Sequence, residues 1–216
     1  PLNIFTMKKI KIKIKVKICG IKNQLTALEA ERNGADAIGL VFCEKSHRCI
    51  SIEEAKKIIA SLKPFTTVVA LFSNDEEKYV LSVLNNININ LIQFHGDESD
   101  EDCIRYGMPY IKGVSEINEG FTKLDKRYPN AKGFVIDSHN QDGIGGTGKT
   151  FDWSNNSFDT KKPIIIAGGL NCNNVEDAIK IFLPYGVDVS SGVESSNGEK
   201  SAELIKEFID KVKNEE

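Results

Sequence analysis

Residues 15–23 read KVKICGIKN, and the same pattern runs back as KIKI to residue 11. Lysine alternates with isoleucine or valine until the alternation stops at Cys19–Gly20. That period belongs to a β-strand, whose successive side chains face opposite ways. Ile12, Ile14, Val16 and Ile18 form one face; Lys13, Lys15, Lys17 and Cys19 form the other. Two settings suit such a strand. On a sheet edge the lysines are simply solvated. In a closed barrel the apolar face packs outward on helices, and Lys17 and Cys19 point inward. A bare ammonium is costly there, so Lys17 would need an anionic partner.

The remaining chain favours the barrel. Strand-length apolar runs follow the first strand (11–19) at AIGLVF (37–42), TTVVALF (66–72), LIQFHG (91–96), YIKGVS (110–115), GFVID (133–137), PIIIAGG (163–169) and GVDVSSG (186–192). Helix-period segments separate most of them. One spans 23–33 and stops at Gly34. Another starts at Ser51, where SIEE reads as a capping box. A third is opened by Ser73–Asn74–Asp75, and a fourth by the acidic turn of DESDEDCIRYG. Three more lie near 117–127, 173–182 and 200–213. Strict alternation implies parallel strands joined by helical crossovers. Eight such units in one α/β domain of this length fit a parallel eight-stranded (β/α)₈ TIM barrel over residues 1–216, with 1–10 as an irregular or extended N-terminal extension. A doubly wound open sheet is the alternative. In a barrel the last strand neighbours the first, so Asp188 is the expected partner of Lys17.

Composition narrows the functional classes. A net charge of −3, with 40 % hydrophobic and 27 % charged residues, is ordinary for a globular protein and argues against a nucleic-acid binder. No apolar run approaches the roughly 18 residues of a membrane span. The five cysteines, at 19, 43, 49, 103 and 172, are odd in number and irregularly spaced. This argues against a disulfide framework or zinc site and for a reducing, cytoplasmic compartment. The histidines at 47, 95 and 139 lack metal-ligand spacing. No metal is expected.

Active sites of such barrels lie at the C-terminal ends of the strands. Those ends carry Cys19, Ser73, His95, Ser115, Asp137, Gly168–Gly169 and Ser190–Ser191–Gly192. Cys19 is a base or nucleophile if a nearby cation raises its thiolate fraction, and otherwise a small buried hydrophobe. Asp137 is a general acid, an electrostatic anchor or a turn cap. AGGLN (167–171) and SSGVE (190–194) expose backbone N–H groups after the last two strands, where barrels often bind phosphate. Arg48, in the loop after the second strand, can grip a substrate carboxylate bidentately or lie solvated. His95 is a proton shuttle or a structural residue. Residues 143–150, GIGGTGKT, match the P-loop pattern GxxxxGK[ST]. A P-loop leaves a strand directly and enters a helix. Here SHNQD precedes the motif and FDWSNNSFD follows it, so a Gly-rich lid over the barrel mouth, with Lys149 near its end, is the better reading.

KICGIKN, GADAIGLVFCEKSHRCIS, VALFSN, IQFHGDE, GGTGKTFDW, AGGLNCNNV and VDVSSGVE, taken in order over residues 15–213, resemble phosphoribosylanthranilate isomerases. The resemblance implies a (β/α)₈ barrel without a cofactor. It implies conversion of N-(5-phosphoribosyl)anthranilate to 1-(2-carboxyphenylamino)-1-deoxyribulose 5-phosphate, an Amadori rearrangement in tryptophan biosynthesis. It places a catalytic base at Cys19 and a catalytic acid at Asp137. Arg48 falls on the arginine associated with the anthranilate carboxylate. The phosphate turns fall on Gly168–Gly169 and Ser190–Ser191–Gly192. His95 joins the substrate-binding candidates by its place at a strand end, apart from the resemblance. The implied partner is a small phosphosugar. Monomer and homodimer both stay open. The rival classes are another phosphosugar barrel enzyme, such as an epimerase or indoleglycerol-phosphate synthase, and a non-enzymatic binding barrel.

Overall fold

The computed structural model describes residues 13–114, 120–137, 159–195 and 198–215. The strands are β1 (Lys15–Cys19), β2 (Ala37–Val41), β3 (Thr67–Phe72), β4 (Leu91–Phe94), β5 (Tyr110–Val114), β6 (Phe134–Asp137), β7 (Ile164–Ala167) and β8 (Gly186–Val189). The helices are α1 (Gln24–Asn33), α2 (Ile52–Ser61), α3 (Glu77–Leu84), α4 (Asp100–Ile104), α5 (Phe121–Arg127), α6 (Val175–Phe182) and α7 (Ala202–Asn214). The strands pair in parallel, in chain order, and β8 closes on β1. The open sheet is therefore excluded. The extension (1–10), Ser115, His139 and the 143–150 motif with Lys149 lie outside the described residues.

Strand register carries one face around the ring. Cys19 pairs with Gly39, Gly39 with Val69, and Val69 with Leu91. A second row runs Val41, Leu71, Gln93 and Ile111, and a third runs Gly113, Val135, Ile165 and Gly186. These rows face the interior, where Ile111, Val135 and Ala167 pack with Leu91 and Ile165. A far larger apolar cluster fills the space between sheet and helices. Ile14, Val16 and Ile18 belong to it, at 6 %, 3 % and 0 % exposure, so the apolar face of β1 does point outward.

Lys17 is consequently inside. Its Nζ lies 2.7 Å from Asp188 Oδ2, and the two side chains are 6 % and 7 % exposed. The partners sit directly opposite each other in the β1–β8 register. Burial opposes the charge on Lys17, but Asp188 and Cys19 outweigh it and hold the ammonium above its ordinary range. Below, Lys15 donates to Asp36 at 2.7 Å at the barrel's N-terminal rim.

Local signals set most helix ends. Ser51 and Glu54 form the expected capping box, and Ser99 with Asp102 forms another before α4. Gly34 ends α1 in the left-handed region at φ 103°. Two starts differ from the sequence reading. Helix α5 begins at Phe121 rather than near 117. Helix α3 begins at Glu77, with Glu76 as its N-cap and no side-chain cap. Ser73–Asn74–Asp75 serve the loops instead. Asp75 accepts from the Ser73 N–H at 2.7 Å, and Asn74 Oδ1 accepts from the Asp97 N–H at 2.7 Å. Hydrogen-bonding side chains favour turns as readily as caps, which makes the two hard to separate in sequence. Among the described residues no helix is long and apolar enough to cross a membrane.

The β1–β8 pair makes a stability prediction. Lys17→Met alone strands a buried carboxylate and should cost about 3–5 kcal/mol, whereas Lys17→Met combined with Asp188→Leu should recover most of that loss. Urea unfolding of the wild type and the variants measures it. A double variant no more stable than the single one would refute the assignment.

Candidate active site

The C-terminal ends of the strands surround a cleft of about 500 Å³. Cys19, Asp137 and His95 all line it, together with Arg48, Ser73 and Gln93. Gly168, Gly169, Ser190 and Ser191, from the turns after β7 and β8, line it as well. Cys19 and Asp137 stand on strands three places apart around the ring, counted through β8 and β7.

Cys19 ends β1 and is 6 % exposed. Burial pushes its thiol up, Lys17 draws it down, Asp188 pushes it up again, and the net position is above the ordinary thiol range. Lys17 is thus no free cation that makes a resident thiolate; its charge is largely matched by Asp188. Room for the sulfur comes from the neighbouring strand. A Cβ on Gly39 would lie 2.8 Å from Cys19 Sγ and 3.0 Å from its Cα.

His95 follows β4. Its Nε2 lies 3.4 Å from Asp137 Oδ2, and Gln93 Nε2 lies 3.2 Å from its Nδ1. With the amide donating, Nδ1 is the acceptor and Nε2 carries the proton toward Asp137. The ring occupies space left by Gly113, where a Cβ would fall 2.2 Å from Nδ1. The loop carrying it is fastened by Glu98, which accepts from the N–H groups of Asn74 at 2.7 Å and Gly96 at 2.9 Å.

The turns after β7 and β8 are joined. Gly168 and Gly169 both adopt left-handed φ, 76° and 66°, which suits glycine and turns the chain sharply. Asn171 bridges Gly192, and a Cβ on Gly192 would lie 1.8 Å from the Leu170 carbonyl oxygen. Gly192 therefore sits behind the cleft lining, where it permits the close approach of the two turns. Ser190 Oγ donates to the Cys19 carbonyl at 3.1 Å, tying the last turn to the first strand.

Arg48 is not the unengaged cation that its loop position suggests. Its Nε and Nη2 hold the Glu194 carboxylate at 2.6 and 2.9 Å. Lys200 Nζ adds a third bond to Glu194, at 2.6 Å. Burial pushes the Glu194 carboxyl up, but Arg48 and Lys200 overcome it and hold the group down at about 2. The roles of Gly39, Gly113 and Lys200 escape the sequence reading. Glu194 stands at the end of the SSGVE turn, yet its sequence position 146 residues from Arg48 conceals the pair.

A family model described as N-(5′phosphoribosyl)anthranilate (PRA) isomerase matches residues 16–211. N-(5′-phosphoribosyl)anthranilate isomerase of Marinomonas sp. (strain MWYL1) is 46 % identical over 200 residues, which are 92 % of this chain and 98 % of that protein. The crystal structure of phosphoribosyl anthranilate isomerase from Thermotoga maritima superposes with a TM-score of 0.80 at 39 % identity, covering 93 % of this chain and 99 % of that one. A crystal structure of a phosphoribosyl anthranilate isomerase in complex with reduced 1-(o-carboxyphenylamino)-1-deoxyribulose 5-phosphate has a TM-score of 0.76 at 36 % identity, with the same coverage. A match over nearly the whole chain, in sequence and in fold, leaves no room for the rival barrels: this chain is an isomerase that belongs to the N-(5′-phosphoribosyl)anthranilate isomerase family.

Proposed function

We propose that the chain converts N-(5-phosphoribosyl)anthranilate to 1-(2-carboxyphenylamino)-1-deoxyribulose 5-phosphate, a step of tryptophan biosynthesis, with Asp137 as general acid and Cys19 as general base. The observation that carries this reading is that both groups line one cleft, from different strands, beside the paired turns of β7 and β8. A sugar held between them can receive a proton on one side and lose one on the other.

Asp137 protonates the ribose ring oxygen and the ring opens to a Schiff base. The iminium acidifies the C2′ hydrogen. Cys19 takes that proton as thiolate, and the enolamine then tautomerises to the ketone. The Nε2–H of His95 is placed to stabilise the Asp137 carboxylate once its proton has left. Lys17, under Cys19, favours the thiolate without carrying a net charge of its own into the barrel, since Asp188 balances it. Backbone N–H groups around Gly168, Gly169, Ser190 and Ser191 receive the phosphate. The ligand of the related crystal structure has the same anthranilate-and-phosphate form as the product proposed for this chain.

The test is loss of anthranilate-type fluorescence from freshly made phosphoribosylanthranilate. Cys19→Ser and Asp137→Asn should each lower kcat by about 10²–10⁴-fold with a much smaller change in KM. Normal turnover in either variant removes that residue from the chemistry. Because the thiol is pushed up and the thiolate is the working form, kcat/KM should rise with pH through an ionisation above the ordinary thiol value of about 8.5. A base titrating well below neutrality would rule out Cys19. Gly39→Ala should leave the barrel folded by circular dichroism yet lower kcat at least about tenfold, because the added methyl displaces the sulfur. Unchanged kcat would show that the sulfur's position is not critical.

A further inference from the structure

The buried cluster around Glu194 does more than neutralise charge. A guanidinium offers two edges to a carboxylate: the side edge, Nε with Nη2, and the end edge, Nη1 with Nη2. Glu194 takes the side edge of Arg48 with both of its oxygens. No described residue takes a hydrogen bond from Nη1, and Arg48 lines the cleft at 20 % side-chain exposure. Glu194 is itself clamped. Lys200, 3 % exposed, donates to Glu194 Oε1 at 2.6 Å, the Ser190 carbonyl at 2.9 Å and Ser190 Oγ at 3.1 Å. All three donors of that ammonium are used, so Lys200 has none left for a substrate. The Arg48 stem passes Gly20 closely: a Cβ there would lie 2.5 Å from Arg48 Cδ. Stem and side edge are therefore both held, which leaves the end edge for a ligand in the cleft that Arg48 lines.

The geometry points to Glu194 as a positioning residue for substrate recognition, holding Arg48 so that its end edge receives the anthranilate carboxylate, with Lys200 bracing Glu194 from behind. This rests on the reading of Arg48 as the carboxylate receptor. An arginine fixed in this way loses little side-chain freedom on binding, which converts more of the bidentate contact into affinity. The cluster also keeps a net positive charge, from two cations and one carboxylate, so the receptor stays attractive to an anion.

The experiment compares two substrates: N-(5-phosphoribosyl)anthranilate and N-(5-phosphoribosyl)aniline, which lacks the carboxylate. Glu194→Gln should raise KM for the first about tenfold with kcat changed less, and leave kcat/KM for the second within about twofold. Arg48→Ala should remove the preference between the two substrates, and adding Glu194→Gln to it should change nothing further. Equal losses on both substrates, or additive losses in the double variant, would overturn the positioning role. If Arg48→Ala keeps the preference, it is the reading of Arg48 that fails, and the two failures are thereby distinguished. Should Glu194→Gln not fold, Glu194→Asp keeps a charge for Lys200 but is too short to hold both Arg48 nitrogens; the same selective loss is expected, and wild-type selectivity would refute the proposal.

Discussion

The ion pair between Lys17 and Asp188 is the constraint on which the rest of the barrel depends. It spans the seam between the last strand and the first, at 2.7 Å and almost without solvent. Either charge alone would be intolerable inside the barrel, so the pair is satisfied only when the ring is shut. Closure is what brings the two ends of the chain's alternation together. Strand β1 carries Cys19 and strand β8 runs into Ser190, and the pair lies one layer beneath both. The Ser190 hydroxyl repeats the connection one layer up, on the Cys19 carbonyl. Cys19 and the turn after β8, far apart in sequence, thus share one rigid corner.

The same pair sets the electrostatics of the thiol. An unmatched lysine below Cys19 would favour the thiolate more strongly. A matched one leaves burial dominant, and the resting sulfur keeps its proton. The mouth is then shaped largely by what is missing. Gly39 and Gly113 open the spaces that Cys19 and His95 occupy, and both stand on strands adjacent to the residue they make room for. Loop contacts finish the work: Asn74, Asp97 and Glu98 lace the ends of β3 and β4 together, and with them the position of His95.

Legibility followed range. The eight strands, the capping box at Ser51 and the stop at Gly34 could be read because each is written within a few residues. The Lys17–Asp188 pair is long-range, yet it too was legible: an inward lysine demands a partner, and a closed ring offers few. Arg48 shows where this reasoning stops. Its residue type and loop suggested anion binding, but nothing local reveals a carboxylate waiting 146 positions later. Gly39 and Gly113 were hidden for the opposite reason. A glycine within a strand looks like weakened propensity, and the side chain it accommodates belongs to another strand. Ser73–Asn74–Asp75 misled because caps and turns use the same polar atoms.

Charge at the mouth follows a consistent rule. Arg48 and Lys200 share Glu194, and Lys17 holds Asp188; each of these three buried or half-buried cations has a carboxylate partner before any ligand arrives, with one positive charge left in excess around Glu194. Pairing lowers the cost of an isolated buried charge and weakens the indiscriminate pull that such a charge would exert on any anion. On the function proposed above, recognition then comes from direction: the remaining edge of the Arg48 guanidinium, and the backbone of the sharp turn that Gly168 and Gly169 make at φ 76° and 66°. Directional donors discriminate between anions by shape, which a bare buried charge does not.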